Sequence, residues 1–302
     1  MTMPAGPLLF VGQTVLDHVF HVERFSVEGG KVVAGRQADQ VGGMAARAAL
    51  AAQRLRRQPG GARMHLCSAV GDDGAGDQLR RLLAAEGLDI EAITGARTGV
   101  SAVLVDARGE RQISNFRGDA LARAPLPRLP EDCSGVLADA RWPAAARLAL
   151  AHARSQGVPG MLDADVAPAE VLRALVPLAS WCVYSRGGLE AWAGDAAPDP
   201  AVTLAQAAID APDAELLVTL GADGALWRRP GGELQALPAF TVEAVDTTGA
   251  GDVLHGVLLL GLSEGLPPPT AVRRAMAAAA LSCRGALPTR DELDHFLAQH
   301  HA

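Results

Sequence analysis

The chain has 302 residues, 49% of them apolar and 20% charged, with a formal net charge of -7. That acidity offers no basic footprint for nucleic acid or for an anionic membrane surface, and no apolar run approaches the roughly 20 residues of a spanning helix. The opening MTMPAGPLLFVG lacks the basic start and long apolar segment of a secretory signal. Cys67, Cys133, Cys182 and Cys283 form no CxxC pair, a spacing that suits buried thiols in a reduced cytoplasmic compartment better than disulfides or a zinc site.

In chain order, Pro7 to Asp17 reads as a short apolar strand ending in a polar loop. Residues 18–41 alternate apolar and polar positions with no helical pattern. GGMAARAALAAQRLRR (42–57) is helical by propensity. MHLCSAVG (64–71) reads as a buried strand, and DQLRRLLAAEGL (77–88) as an amphipathic helix with Leu79, Leu82 and Leu83 on one face. GVSAVLVDARGERQISNFRG (99–118) is two strand-like runs about the turn DARGE, a hairpin signal. Strand and helix then alternate: GVLAD before AAARLALAHARSQG, GMLDAD before PAEVLRALVPLA, WCVYS before GGLEAWAG, and AELLVTLG after a further Ala-rich helix. The alternation predicts an α/β fold, an open, mostly parallel sheet flanked by helices. Residues 18–40 and 99–118 break the rhythm and predict a small β-sheet lid over a body made of 1–17, 41–98 and 119–302.

Gly-Ala-Gly-Asp occurs twice, at 74–77 and 249–252. The first copy opens a helix with a solvated side. The second opens VLHGVLLLGL, apolar nearly all round and therefore buried, with its N-terminus at the carboxyl edge of the sheet. The amides and dipole of such an N-terminus stabilise negative charge. Asp252 beside it is either a helix cap or a general base that takes a hydroxyl proton during phosphoryl transfer; spacing alone leaves both open. His255, Trp142 and Trp181 read as packing residues. Neither a GxxxxGK[ST] P-loop nor a strand-linked GxGxxG dinucleotide motif is present.

DTTGAGD (246–252) resembles the signature of the ribokinase (PfkB-type) carbohydrate kinases. QVGGMAARAALAAQRL resembles that family's glycine-glycine helix, AVGDDGAGDQLRRLLAAEGLD its second block, and VTLGADGALW its nucleotide-binding strand and turn, so the likeness spans nearly the whole chain. The resemblance implies a ribokinase-like fold, a small sugar as substrate, and ATP with magnesium as cofactors. It makes the first GAGD copy scaffold. It implies Asp252 as base, Gly249, Ala250 and Gly251 as the anion hole, and Asp246, Thr247 and Thr248 along the approach. Thr219, Gly221 and Gly224 would lie along ATP, with Ala279 and Cys283 near the adenine; Asp17, Gly42 and Gly43 would meet sugar hydroxyls. Exposed lid strands would permit a homodimer through the lid.

Two departures stand out. The family's Asn-x-x-Glu is replaced by Ser185 and Gly188 in SRGGLEAWAG, which leaves the metal ligands unassigned. Arg47 stands where ribokinase-like members carry asparagine. With Lys31, Arg117 and Arg141 it could form a cationic pocket for an anionic substituent, or each could be a solvated surface charge. EGGK, VLVDARGERQISNFRGDAL and VLADARW resemble the sulfofructose kinase branch, which also lacks Asn-x-x-Glu. That branch implies 6-deoxy-6-sulfofructose phosphorylated on its 1-hydroxyl, with Lys31, Asn115 and Arg141 at the sulfonate end and sugar; it lends no support to Arg47. The alternatives are a kinase for a neutral or phosphorylated ketose, ribose or a nucleoside, and a non-catalytic sugar- or nucleotide-binding protein on the same fold.

Overall fold

Leu8–Val11, apolar and buried at every position, forms the strand around which the body assembles. The structure, a computed structural model, describes residues 6–26, 29–57, 61–194 and 199–300. The first half of the chain forms β1 (Leu8–Val11), β2 (Val15–His21), β3 (Arg36–Gly42), α1 (Met44–Leu55), β4 (Met64–Cys67), β5 (Ala69–Gly71), α2 (Gly74–Ala85), β6 (Glu91–Ile93), β7 (Gly99–Val105), β8 (Arg111–Phe116), α3 (Ala120–Arg123), β9 (Gly135–Asp139) and α4 (Pro143–Gln156). The second half forms β10 (Gly160–Ala164), α5 (Ala169–Leu175), β11 (Trp181–Ser185), α6 (Arg186–Ala193), α7 (Pro200–Asp210), β12 (Glu215–Thr219), β13 (Ala225–Arg228), β14 (Leu234–Leu237), α8 (Ala250–Ser263), α9 (Pro268–Ser282) and α10 (Arg290–Gln299).

The main sheet has the order β14-β13-β12-β11-β10-β9-β1-β4. From β4 to β12 it is parallel, and β13 and β14 add an antiparallel edge that the alternation pattern does not reveal. Side chains alternate across it. Leu8, Phe10, Leu137 and Val183 pack on one face with α1, α8, α9 and α10; Leu9, Val11, Val136 and Leu162 pack on the other with α4 to α7. Trp142 and Trp181 are buried, the latter stacked on Trp227 with centroids 6.3 Å apart. The four cysteines are free, and burial pushes the Cys67 and Cys182 thiols up to about 12. No described helix is long and apolar enough to cross a membrane.

α8 lies directly against α1 because Gly256 has no side chain: a Cβ there would collide with the Ala48 carbonyl. G256A is therefore expected to cost about 2 kcal/mol, read as a lower urea midpoint at an unchanged m-value.

A second, four-stranded sheet has the order β3-β2-β7-β8, with β2 and β7 parallel at its centre. β2 begins at Val15, so Asp17 stands on this sheet itself. The register aligns Gln40, Asp17, Ser101 and Asn115 in one polar row across all four strands. The β7–β8 turn is built by Asp106, whose carboxylate accepts from the Arg108 and Glu110 amides, each at 2.9 Å. Gly109 (φ 78°) in that turn lies against the Val245 carbonyl, so the hairpin tip touches the segment leading into the second GAGD copy.

Candidate active site

The two GAGD copies build different ends of helices. In the first, Asp73 caps α2 by accepting from the Gly76 amide at 2.9 Å, and Gly76 is pressed against the Gly71 carbonyl. Asp77 points to solvent, 55% exposed, with Arg80 at 3.6 Å. In the second, the Asp246 carboxylate accepts from the Thr248 amide at 2.8 Å and turns the chain into Gly249, which is left-handed at φ 73° and precedes α8. No side chain caps α8, and Asp252 lies in its first turn. Asp252 is 16% exposed, and the space beside Gly251 is open.

Arg47 connects this turn to the small sheet. Its Nη2 donates to the Thr248 carbonyl at 2.9 Å, Nε lies 3.5 Å from Asp252 Oδ2, and Nη1 lies 3.7 Å from Asp17 Oδ2. The guanidinium packs over Gly249, where any Cβ would collide with it. Burial raises the Asp17 pKa, against the lowering effects of its Ser101 hydrogen bond and of Arg47. Burial likewise pushes Asp252 up to about 7; Arg47 opposes this, while Asp163 and Asp165 add to it. The glycine pair has a direct cause: Gly42 leaves room for the Asp17 carboxyl, and Gly43 (φ 91°) packs on the Gln13 carbonyl.

Three aspartates at the ends of β9 and β10 lie beneath the site, in segments that read from the sequence only as strands. Asp139 accepts from the Gln13 amide at 2.7 Å, the Arg141 amide at 2.9 Å and the Ala45 amide at 3.4 Å, clasping the loop after β1, the start of α1 and the end of β9. Asp163 is buried, with His255 Nε2 3.6 Å from its Oδ1. Asp165 accepts from Ser185 Oγ at 2.7 Å and has Arg141 Nη2 at 4.0 Å. His255 is buried, as expected of a packing residue, and its ring nitrogens also meet the Gly251 and Val183 carbonyls at 2.7 and 3.3 Å. The signal for this cluster was present as aspartates closing GVLAD and GMLDAD.

The replacement for Asn-x-x-Glu also has a physical basis. Ser185 caps α6 by accepting from the Gly188 amide at 2.9 Å, and a Cβ at 188 would collide with the Ala164 carbonyl. No side chain fits where the family motif carries glutamate. Among the described residues no group of three or more His, Cys, Asp or Glu is arranged for a metal ion.

The residues expected along a nucleotide line the same edge. Thr219 ends β12 and pairs in register with Ser185, one strand over from β11, whose Val183 carbonyl meets His255 of α8. Gly221 (φ 65°) has open space around it; Gly224 (φ 89°) is instead pressed on the Leu237 carbonyl. Thr247 is exposed, and Thr248 Oγ1 is buried without a partner. At the end of α9, Cys283 Sγ bonds the Ala279 carbonyl, and the Cys283 carbonyl accepts from the Val245 and Asp246 amides at 2.7 and 3.0 Å. On the small sheet, Asn115 donates to Ser101 Oγ at 2.9 Å, while Lys31 and Arg117 are exposed with no ion pair among the described residues. The four cations therefore divide. Arg47 and Arg141 lie near carboxylates, and Lys31 and Arg117 belong to segments of the small four-stranded sheet, Lys31 between β2 and β3 and Arg117 just after β8.

The pfkB family carbohydrate kinase model matches residues 7–293. A structure from Agrobacterium tumefaciens, provisionally a ribokinase, is 35% identical with a TM-score of 0.90, covering 97% of this chain and 98% of its own. The ribokinase of Haemophilus influenzae is 28% identical, covering 96% of this chain and 98% of that protein. The structure of Arabidopsis thaliana ribokinase complexed with ribose and ATP shares the fold at 21% identity, with a TM-score of 0.79 and coverage of 98% and 99%. A match over nearly the whole chain, on a ribokinase-like fold with the second GAGD turn at the carboxyl edge of the sheet, makes this protein a member of the PfkB family of carbohydrate kinases.

Proposed function

We propose that this carbohydrate kinase uses ATP to phosphorylate a primary hydroxyl of a ketose, with Asp252 as general base. The observation that carries the reading is Asp252 itself: shielded, uncapped, pushed up to about 7 and set in the first turn of a buried helix. A base poised near neutral pH combines ionisation with proton affinity. The acceptor hydroxyl gives its proton to the Asp252 carboxylate as its oxygen attacks the γ-phosphoryl group of ATP in line, and the bond from that phosphorus to the ADP oxygen breaks so that ADP leaves. The amides at the start of α8 (Gly249, Ala250 and Gly251) hold the developing charge, and the residues about Asp17, Gly42 and Gly43 orient the sugar.

A polyanionic nucleotide suits the residues present: the uncapped α8 terminus, the unpartnered Thr248 Oγ1 and the open approach past Gly221 from Thr219. Asp246 acts by shaping the turn that presents Thr247 and Thr248, and Ala279 and Cys283 flank the adenine end. Magnesium bound with the nucleotide would screen phosphate charge, with ligands drawn from the phosphates rather than from a protein cluster. The small sheet closes over the sugar through its Asp17–Ser101–Asn115 row and excludes water.

For the sugar, the reading we favour is 6-deoxy-6-sulfofructose. Lys31 and Arg117 on the lid side carry no ion pair among the described residues, and the Arg141 guanidinium is only loosely engaged at 4.0 Å from Asp165. These are donors free to meet a sulfonate beyond Asn115. The test is ADP release with ATP and magnesium across 6-deoxy-6-sulfofructose, fructose, fructose 6-phosphate, ribose and adenosine. The sulfonated ketose is expected to give the highest kcat/KM, and K31A and R141A to raise its KM about tenfold or more with a smaller effect on fructose. Ribose or adenosine as best acceptor would remove the ketose assignment. No sugar-dependent turnover on any of the five would favour a binding protein on this fold. A dimer through the lid is part of the proposal, since Ile113 and Phe116 of edge strand β8 are 54% and 50% exposed.

A further inference from the structure

His255 lies one turn into α8, 5% exposed, and every polar atom its ring meets is an acceptor. Nδ1 is 2.7 Å from the Gly251 carbonyl oxygen; Nε2 is 3.3 Å from the Val183 carbonyl oxygen and 3.6 Å from Asp163 Oδ1. A neutral imidazole has one N–H and one lone pair, so by itself it would turn the lone pair toward an acceptor on one side. The conflict disappears on both sides in the imidazolium, with the Asp163 carboxylate 3.6 Å from Nε2 as its counter-ion; with the proton on Asp163 instead, the neutral ring turns only its Nε2 lone pair toward the Val183 carbonyl. In both forms Nδ1, at the shortest distance, carries its proton toward Gly251. Asp163 is built for such sharing: it is 1% exposed and its Oδ2 has no hydrogen-bond partner. Burial, with Asp165 and Asp139 nearby, pushes its pKa well up, while burial pulls that of His255 down.

The Gly251 carbonyl shares its peptide unit with the amide of Asp252. That unit is planar, so the direction of the Gly251 C=O sets the direction of the Asp252 N–H. The entry to α8 holds two glycines, Gly249 at the N-cap and Gly251 in the first turn, with the backbone freedom that glycine brings. Helix ends fray unless held. We propose that His255 is a positioning residue for phosphoryl transfer: its Nδ1–H holds the Gly251 carbonyl, the Asp252 amide thereby points out of the helix at the transferring group, and Asp163 and Val183 rivet the ring to the central sheet. This rests on the reading of the α8 turn as the anion site.

Two substitutions divide the ring's functions. In H255N the amide Nδ2 stands near the position of Nδ1 and can still donate to Gly251; in H255Q the amide reaches toward the Nε2 side. With ATP, magnesium and the best acceptor of the panel, H255N is expected to keep kcat within about threefold, whereas H255Q and H255F lose about 30-fold with acceptor KM changed less than about twofold. D163L/H255F removes the buried carboxylate that H255F would orphan; it is expected to recover thermal stability but not kcat. A wild-type kcat in H255Q and H255F, or a kcat that tracks Tm through all four variants, would overturn the proposal. D252N run in parallel separates the two levels: an inactive D252N with a fully active H255F sinks only the positioning role, whereas an active D252N sinks the site reading beneath it.

Discussion

D252N is expected to lower kcat by about 1,000-fold while the protein stays folded and binds its acceptor. Asparagine fills the same volume and keeps a polar head beside Arg47, but it has no basic oxygen to take the hydroxyl proton. The wild-type pH profile carries the same information. The active form is the carboxylate and burial pushes Asp252 up to about 7. Activity should therefore climb by about tenfold per pH unit on the acid side, bend near neutrality and level off above it. Intact turnover in D252N would remove Asp252 from the chemistry. An acid limb near pH 4 instead would mean that Asp252 is solvated in the working enzyme.

The second large effect concerns Arg47. Its guanidinium lies between Asp17 and Asp252 and is the largest influence opposing the raised pKa of Asp252. R47A leaves two shielded carboxylates without their cation. The Asp252 pKa then moves above 7, so activity at neutral pH falls, by about 30-fold, and part of it returns on the alkaline side. R47K keeps a charge but loses the fork that spans both acids and Thr248, so it should recover the pH profile better than kcat. Arg47 also lines a cavity of about 300 Å3 with Gln40, Leu50, Asp246 and Thr248. Activity of R47A unchanged at pH 7 would mean that the guanidinium leaves both carboxylates in the working enzyme.

Local periodicity accounts for the strand and helix alternation, the glycine-glycine helix, the β7–β8 hairpin and the buried character of α8, because a segment's apolar pattern reports which of its faces is covered. The contrast between the two GAGD helices was legible for the same reason: α2 has a polar side and α8 has none. The antiparallel edge formed by β13 and β14 escaped, since a short strand pattern does not reveal the direction of its neighbour.

What the sequence determined alone was therefore the inventory: an α/β fold of the PfkB kinase type, a glycine turn leading into a buried helix, and Asp252 beside it. It could not decide what Asp252 would face. Arg47 and Thr248 are 201 positions apart, and His255 and Val183 are 72 apart. Their meeting depends on strand order and on α8 lying against α1 at Gly256. The roles proposed for Arg47, Asp163 and His255 rest on those contacts: the shielding that moves a carboxylate toward neutrality, and the acceptors around the imidazole, exist only once distant strands and helices have packed together.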